Sequence, residues 1–444
     1  MKKEISIAFI FFALMALLGG MLFGCLGALQ FIYPGFLAEL GFERVRPLHV
    51  SFVVAWIFLS AAGGIYYYLP EHAGKRLYSD KLPKLHLWLF VLTGLLIAAC
   101  YFMGKFGGRE YWEFPPVLSI PIFITWALFG WNYFRTVANV RDWPVYLWMW
   151  ATGIVFFFLT FAEAHLWLIP YFGKSIVRDL TVQWKAYGAL VGSWNMLVYG
   201  TALFIMERIK GDRSVSRSRM AFLMYFLGFA NLLFGWAHHI YIVPAAKWIR
   251  ILSYAMSMTE LLILARIIWN WKHSLDEAKK HFYLMPARFL SAADFWIGLN
   301  LALALAISVP AINIYTHGTH ITVAHAMGST IGINTMILLA SCIFITLQVT
   351  GRNFSPADQR MLSSGFWLTG LALFIFWLSL ILAGTRKGFL TVEGKAFSEI
   401  MEQIHPWLTV FAFSGLGVLV GLIMVTVPVF RAITRYYLHR QRKG

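Results

Sequence analysis

The stretch "YTHGTHITVAHAMGST", Tyr315–Thr330, stands at the head of an apolar run that continues to Gln348. A helix over residues 321–348 would rise about 42 Å, more than the ~30 Å hydrocarbon core of a bilayer. Inside lipid the backbone finds no water to bond to, so a run of this kind is helical. It nevertheless carries His325 and Met327 two residues apart, with His317 and His320 just before them. Ionisable and polar side chains at membrane depth are costly and point to function.

The rest of the chain repeats the apolar pattern. Of its 444 residues, 59% are hydrophobic and only 13% charged, with a mean hydropathy of +0.68. Ordinary soluble domains are far more polar. Twelve segments are long and apolar enough to span: approximately 5–29, 48–69, 85–104, 116–135, 144–170, 184–207, 219–241, 248–270, 290–311, 321–348, 363–384 and 407–431. The expectation is an all-α polytopic membrane protein whose 12 transmembrane helices form a single integral membrane domain over residues 1–444. The first segment has a Lys2-Lys3 head like a signal peptide, but its apolar run is too long and lacks an Ala-x-Ala-like cleavage site, so it reads as a retained helix. Cys25, Cys100 and Cys342 fall in apolar segments without paired spacing, which argues against a disulfide framework.

The formal net charge is +17. Its distribution follows topology rather than a nucleic-acid surface. One set of loops holds "EHAGKRLYSDKLPK", "ERIKGDRSVSRSR", "KHSLDEAKKHFYLMPARF" and the tail "RAITRYYLHRQRKG", whereas the opposite set is poor in bases. The excess of Lys and Arg on one side predicts that both termini lie in the cytoplasm. The first outer loop, "GFERVRPLH", is the exception, with Arg44 and Arg46 just outside the membrane.

Under this topology four helices carry ligand-type residues near their outer ends. The second brings His49, the sixth Tyr187, the seventh His238 and His239 in "FGWAHHIY", and the tenth His325 and Met327. Imidazole is the commonest protein ligand for iron, copper and zinc, and supplies haem axial bonds. On an α-helix, residues i and i+2 diverge by about 200°. His325 and Met327 therefore point to opposite sides, and a helix bearing both could hold one haem on each side. His238 and His239 diverge by about 100° and could both touch a metal facing one of those haems.

With these residues in place the chain resembles the haem–copper oxidase superfamily, and within it the catalytic subunits of the cytochrome-c-dependent bacterial nitric oxide reductases. The resemblance covers nearly the whole chain. "RPLHVSFVVAWIFLSAAGGIYYYLPE" is similar to the family's second helix, "GREYWEFP" to a Gly-Arg-Glu-x-x-Glu-x-Pro outer loop of the nitric oxide reductase branch, "GWAHHIY" to the His-His element, and "YTHGTHITVAHAMG" to the run before the tenth-helix ligands. The implied fold is the subunit I bundle. The implied cofactors are two haems b, one low-spin and one high-spin, a non-haem iron or other metal, and calcium. By resemblance His49 is an axial ligand of the low-spin haem, His325 the proximal ligand of the high-spin haem, and His238 and His239 ligands of the non-haem metal. Glu110 matches a carboxylate near calcium and the propionates, Glu113 an acid of the proton route, and Arg44 and Arg46 lie where guanidinium–propionate pairs form.

The chain departs from that pattern in two places. Met327 stands where the family has a second His, so the low-spin haem would be His49/Met327 ligated; thioether ligation raises the potential relative to bis-His. On the sixth helix, Tyr187 and Val191 replace a His and a Glu of the metal site, and Asn195 replaces a further acid. Glu163 and His165 in "TFAEAHLW" are alternative ligands, and Glu260 in "SMTELL" lies one position from a family glutamate and could accept a proton. The implied activity is reduction of NO to N2O, with electrons from a cytochrome c-type subunit or another membrane donor. Three other readings stay open: an NO dismutase-like variant, an oxygen-reducing variant, and a non-catalytic two-haem electron conduit with a degenerate metal site.

Overall fold

The structure is a computed structural model of the 444-residue chain. It describes all residues except Met1, Ile242, Ala245, 257–259, 277–278, 280–281, 352 and 442–444, and the side chains of Lys2, Lys3, His238, Glu260, His439 and Arg440. Two sequence-derived site residues, His238 and Glu260, thus have side chains outside the described part.

Among the described residues, twelve helices are long and apolar enough to cross a membrane: α1 (Glu4–Ile32), α2 (Phe42–Ala73), α3 (Leu82–Phe102), α4 (Pro116–Val137), α5 (Val145–Leu168), α6 (Ile176–Lys210), α7 (Arg219–Ala237), α8 (Lys247–His273), α9 (Leu284–Ser308), α10 (His320–Thr350), α11 (Pro356–Val392) and α12 (Phe397–Leu438). Each overlaps one segment expected from the sequence, and no strand occurs among the described residues. The chain is a multi-pass, all-helical membrane protein.

The helices begin and end where hydrogen bonding allows, which is often beyond the apolar run. α2 starts at Phe42 rather than near 48, so Arg44 and Arg46 lie on its first turns and not in a loop. α6 starts at Ile176 rather than near 184. Hydropathy marks where lipid begins, whereas a helix continues into the interface as long as its backbone stays paired. The start of α10 has a local explanation. Gly318 adopts φ +71, a left-handed conformation that suits glycine. Thr319 then caps the helix, its hydroxyl accepting from the Ile321 N–H at 3.2 Å. The Gly-Thr pair of the opening stretch therefore sets the phase of the helix that carries His325 and Met327.

Two further deviations from regular α-helix fall beside candidate ligands. The chain tightens into a 3-10 turn over Gly235–Ile240, so His238 and His239 lie on that turn and not on the α-helical end expected from the sequence. Successive residues there diverge by about 120° rather than 100°. Directly after Met327, α10 widens into a π-helical stretch, Gly328–Thr335.

The chain divides into two compact units, 1–132 with 338–444, and 133–337. In the first, α1 packs on α2 through small residues: a Cβ on Gly20 would lie 3.0 Å from the Val53 side chain, and one on Gly63 would lie 2.6 Å from Phe9. α11 and α12 approach as closely at Gly365 and Gly421. In the second, Gly153 of α5 meets Leu197 of α6, while Gly188 and Gly192 of α6 meet Trp236 and Leu232 of the α7 segment. Small-residue contacts of this kind are how helices associate in lipid, where dispersion replaces the hydrophobic effect.

Candidate functional site

In the first unit, His49 on α2 faces α1. Its Nδ1 lies 2.7 Å from the Gly20 carbonyl oxygen. A carbonyl only accepts, so Nδ1 carries the proton and Nε2 keeps the lone pair a metal needs. A Cβ on Gly24 would come within 2.8 Å of that Nδ1, so a residue without a side chain gives the ring its place. Tautomer and ring orientation are fixed by the protein, as in metal-ligating histidines with an outer-shell partner. The site fits a haem axial ligand.

The "GREYWEFP" loop forms a tight turn against α2. The N–H groups of Gly107 and Gly108 both point to the Glu113 carbonyl, at 2.9 and 3.2 Å. A Cβ on Gly108 would overlap the Trp112 carbonyl oxygen at 1.6 Å, so only glycine fits there. The turn brings two carboxylates onto one guanidinium: Arg46 Nη1 donates to Glu113 Oε1 at 2.8 Å, and Arg46 Nη2 to Glu110. Burial raises the Glu113 carboxyl above its ordinary range, the Arg46 charge pulling the other way. Burial, with the Glu110 carboxylate adding to it, pushes the Tyr111 hydroxyl up to about 12. Arg44 goes elsewhere. Its Nη1 donates to the Phe102 carbonyl at 3.2 Å. The two arginines are two residues apart on a helix, so they diverge by about 200°.

In the second unit, Tyr187 is buried on α6, with its ring edge-on to Trp184 at 6.3 Å. Trp184 in turn stacks on His239, centroids 4.8 Å apart and planes 10° from parallel. No motif in the sequence marks Trp184. The signal was its place one turn before Tyr187, on the same helical face. Asn195 accepts from Asn334 Nδ2 of the π-helical stretch at 3.1 Å. A neutral amide pair stands where the resemblance implies a carboxylate. Of the alternative ligands on α5, Glu163 pairs with Lys185, and His165 Nδ1 donates to the Phe161 carbonyl of its own helix at 2.7 Å, as His49 does to Gly20.

His325 and Met327 are both half-buried on α10, on opposite sides of one turn. Among the described residues no group of three or more His, Cys, Asp or Glu is placed to hold a metal ion. Two imidazoles and a phenol, without a carboxylate, do not match the donor set of a tight non-haem iron centre.

Comparison with known proteins bears on the family. Residues 4–417 match the family model described as cytochrome c and quinol oxidase polypeptide I. The chain is 24% identical over 455 residues to the B subunit of nitric oxide reductase from Stutzerimonas stutzeri, covering 95% of this chain and 93% of that one. It is also 24% identical over 439 residues to the cbb3-type cytochrome c oxidase subunit CcoN1 of the same organism, covering 93% and 91%. A cryo-EM structure of a haem–copper terminal oxidase dimer superposes with a TM-score of 0.77 at 13% identity, over 97% of this chain and 84% of that chain. Helix number, helix order and the extent of the family match agree, and the chain belongs to the haem–copper oxidase subunit I family, whose members are membrane oxidoreductases of respiratory electron transport.

Proposed function

We propose that the chain is the haem-bearing subunit of a nitric oxide reductase-type complex in a bacterial or archaeal cytoplasmic membrane, with both termini in the cytoplasm. It takes electrons from a cytochrome c-type subunit or another membrane donor. The observation that carries this reading over oxygen reduction is the "GREYWEFP" turn, which delivers Glu110 and Glu113 to Arg46. That loop pattern resembles the nitric oxide reductase branch. Haems held here would supply the electron relay and an NO-binding iron, for a reaction in which two NO take two electrons and two protons to give N2O and water.

The residues divide the work. His49 and Met327 would hold the low-spin haem, with Gly20 fixing the His49 tautomer. His325 would hold the high-spin haem. Glu113, whose carboxyl burial pushes upward against the Arg46 charge, would take up a proton and pass it inward. Glu110 is the candidate calcium ligand, and Glu260 a second candidate proton acceptor. His238, His239 and Tyr187 would face the NO-binding side. A second reading is favoured by a specific observation, the Asn195–Asn334 pair beside Tyr187 and Val191. There the chain is a two-haem conduit.

The deciding experiment is anaerobic NO consumption by the purified complex with a reduced donor, run beside oxygen consumption, haem counting and metal analysis. NO loss with matching N2O supports the reductase. Oxygen uptake without NO turnover points to the oxidase reading, and two haems with neither activity to the conduit.

A further inference from the structure

A cavity of about 670 Å3 lies in the first unit between α1, α2 and α3, with Leu419 and Ile423 of α12 completing its wall. It is open on its outer side, because Phe11, Met15, Leu22 and Leu95 both line it and remain exposed. Water has little reason to fill it. Of its polar side chains, Ser51 donates to the Tyr101 hydroxyl at 3.4 Å and Thr93 to its own helix at Leu89. An apolar space of this size in lipid calls for an apolar occupant.

The groove is distinct from the His49 site. Arg44, Leu48, Ser51, Ala55 and Leu59 lie within about 80° of one another around α2, whereas His49 is about 140° from Arg44. Its length also carries information. From Phe11 to Leu22 on α1, and from Phe90 to Tyr101 on α3, the walls run about 16 Å, half of a ~30 Å hydrocarbon core. The groove is as long as one leaflet is thick.

One end of the stripe is charged. Arg44 stands one turn before the lining residue Leu48, its guanidinium on the carbonyl of Phe102, next to the lining residue Tyr101, and a Cβ on Gly104 would lie 3.3 Å from Nη2. Among the described residues no carboxylate stands within ion-pair distance of Arg44. A cation at the interface over a leaflet-long apolar groove complements an anion on an acyl chain. We propose that this groove binds one anionic phospholipid, its acyl chain between α1 and α3 and its phosphate on Arg44.

Gly94 supplies the test, because it lines the groove and a Cβ there meets nothing within 4 Å. The intact complex is exchanged into nanodiscs of mixed phosphatidylglycerol and phosphatidylcholine, and the lipid retained after delipidation is counted by native mass spectrometry. The wild type is expected to keep one phosphatidylglycerol per chain in preference to phosphatidylcholine by about fivefold. Arg44→Gln is expected to lose that preference, and Gly94→Leu to lose retention with the haem spectrum unchanged. Equal retention of the two lipids by the wild type overturns the proposal, as does full retention by Gly94→Leu. It is also overturned if Arg44→Gln shifts the haem spectrum and leaves lipid retention intact, which would assign Arg44 to a propionate. A photo-crosslinker at position 94 that captures a polypeptide instead of lipid overturns it as well.

Discussion

The surroundings of His49 and those of Tyr187 are built on the same material, an α-helix packed closely on its neighbour through glycines, yet they are provisioned differently. His49 has an outer-shell acceptor at Gly20, a tailored space at Gly24, and a charged network one turn away at Arg46. Tyr187 has aromatic neighbours, a valine one turn on, and an amide pair where the resemblance implies an acid. Gly188 and Gly192 bring α7 close, but what they bring is Trp236 and Leu232. The lesson is that close packing positions a site without furnishing it. The His49 surroundings hold groups that orient an imidazole, whereas the Tyr187 surroundings hold groups that stack and fill.

That contrast can be broken most sharply at His49 itself. Replacing His49 with Ala is expected to remove the low-spin haem and lower total haem by about half, read by pyridine haemochrome. Unchanged haem content would mean that the Gly20–His49 pair is only structural.

The Tyr187 side is probed next. The double change Tyr187→His with Val191→Glu restores a His and a carboxylate on one helical face. Non-haem iron content is expected to rise by roughly tenfold, with NO turnover rising in parallel. If the wild-type protein already holds one tight non-haem iron and reduces NO rapidly, the two sites are equally furnished and the contrast fails.

A smaller effect is expected at Met327. Met327→His should lower the low-spin midpoint potential by on the order of 100 mV and remove any near-infrared sulfur–iron band. An unshifted titration would make Met327 a packing residue.

The smallest effect concerns Glu113. Burial raises its folded-state pKa above the ordinary value of 4.5. The folded protein therefore binds more protons than the unfolded chain in the window above pH 4.5, and stability falls as pH rises through it. Glu113→Gln should flatten that dependence in thermal-shift measurements and slow proton uptake several-fold. A pH profile identical to the wild type would remove Glu113 from the proton route.

Much of the fold was legible in the sequence, because crossing a bilayer imposes a length and an apolarity that any segment either meets or does not. Helix number, order and approximate position followed from that constraint alone. Helix ends did not, since an interfacial turn such as Phe42–Arg46 is polar and helical at once. The candidate ligands were legible as residue types out of place in lipid, and the Gly-Arg-Glu-x-x-Glu pattern as a motif.

Only tertiary structure decided what those residues touch. Arg44 and Arg46 read alike in sequence, and helix phase sends one to the α3 carbonyl end and the other to two glutamates. Trp184 was one aromatic among many until it stacked on His239. Glu163 was a possible ligand until Lys185 took it. The reason is physical: hydropathy acts on each segment by itself, whereas a hydrogen bond, a stack or an ion pair needs two residues brought to one height and one angle. Sequence sets the period of each helix, and packing sets the phase between them.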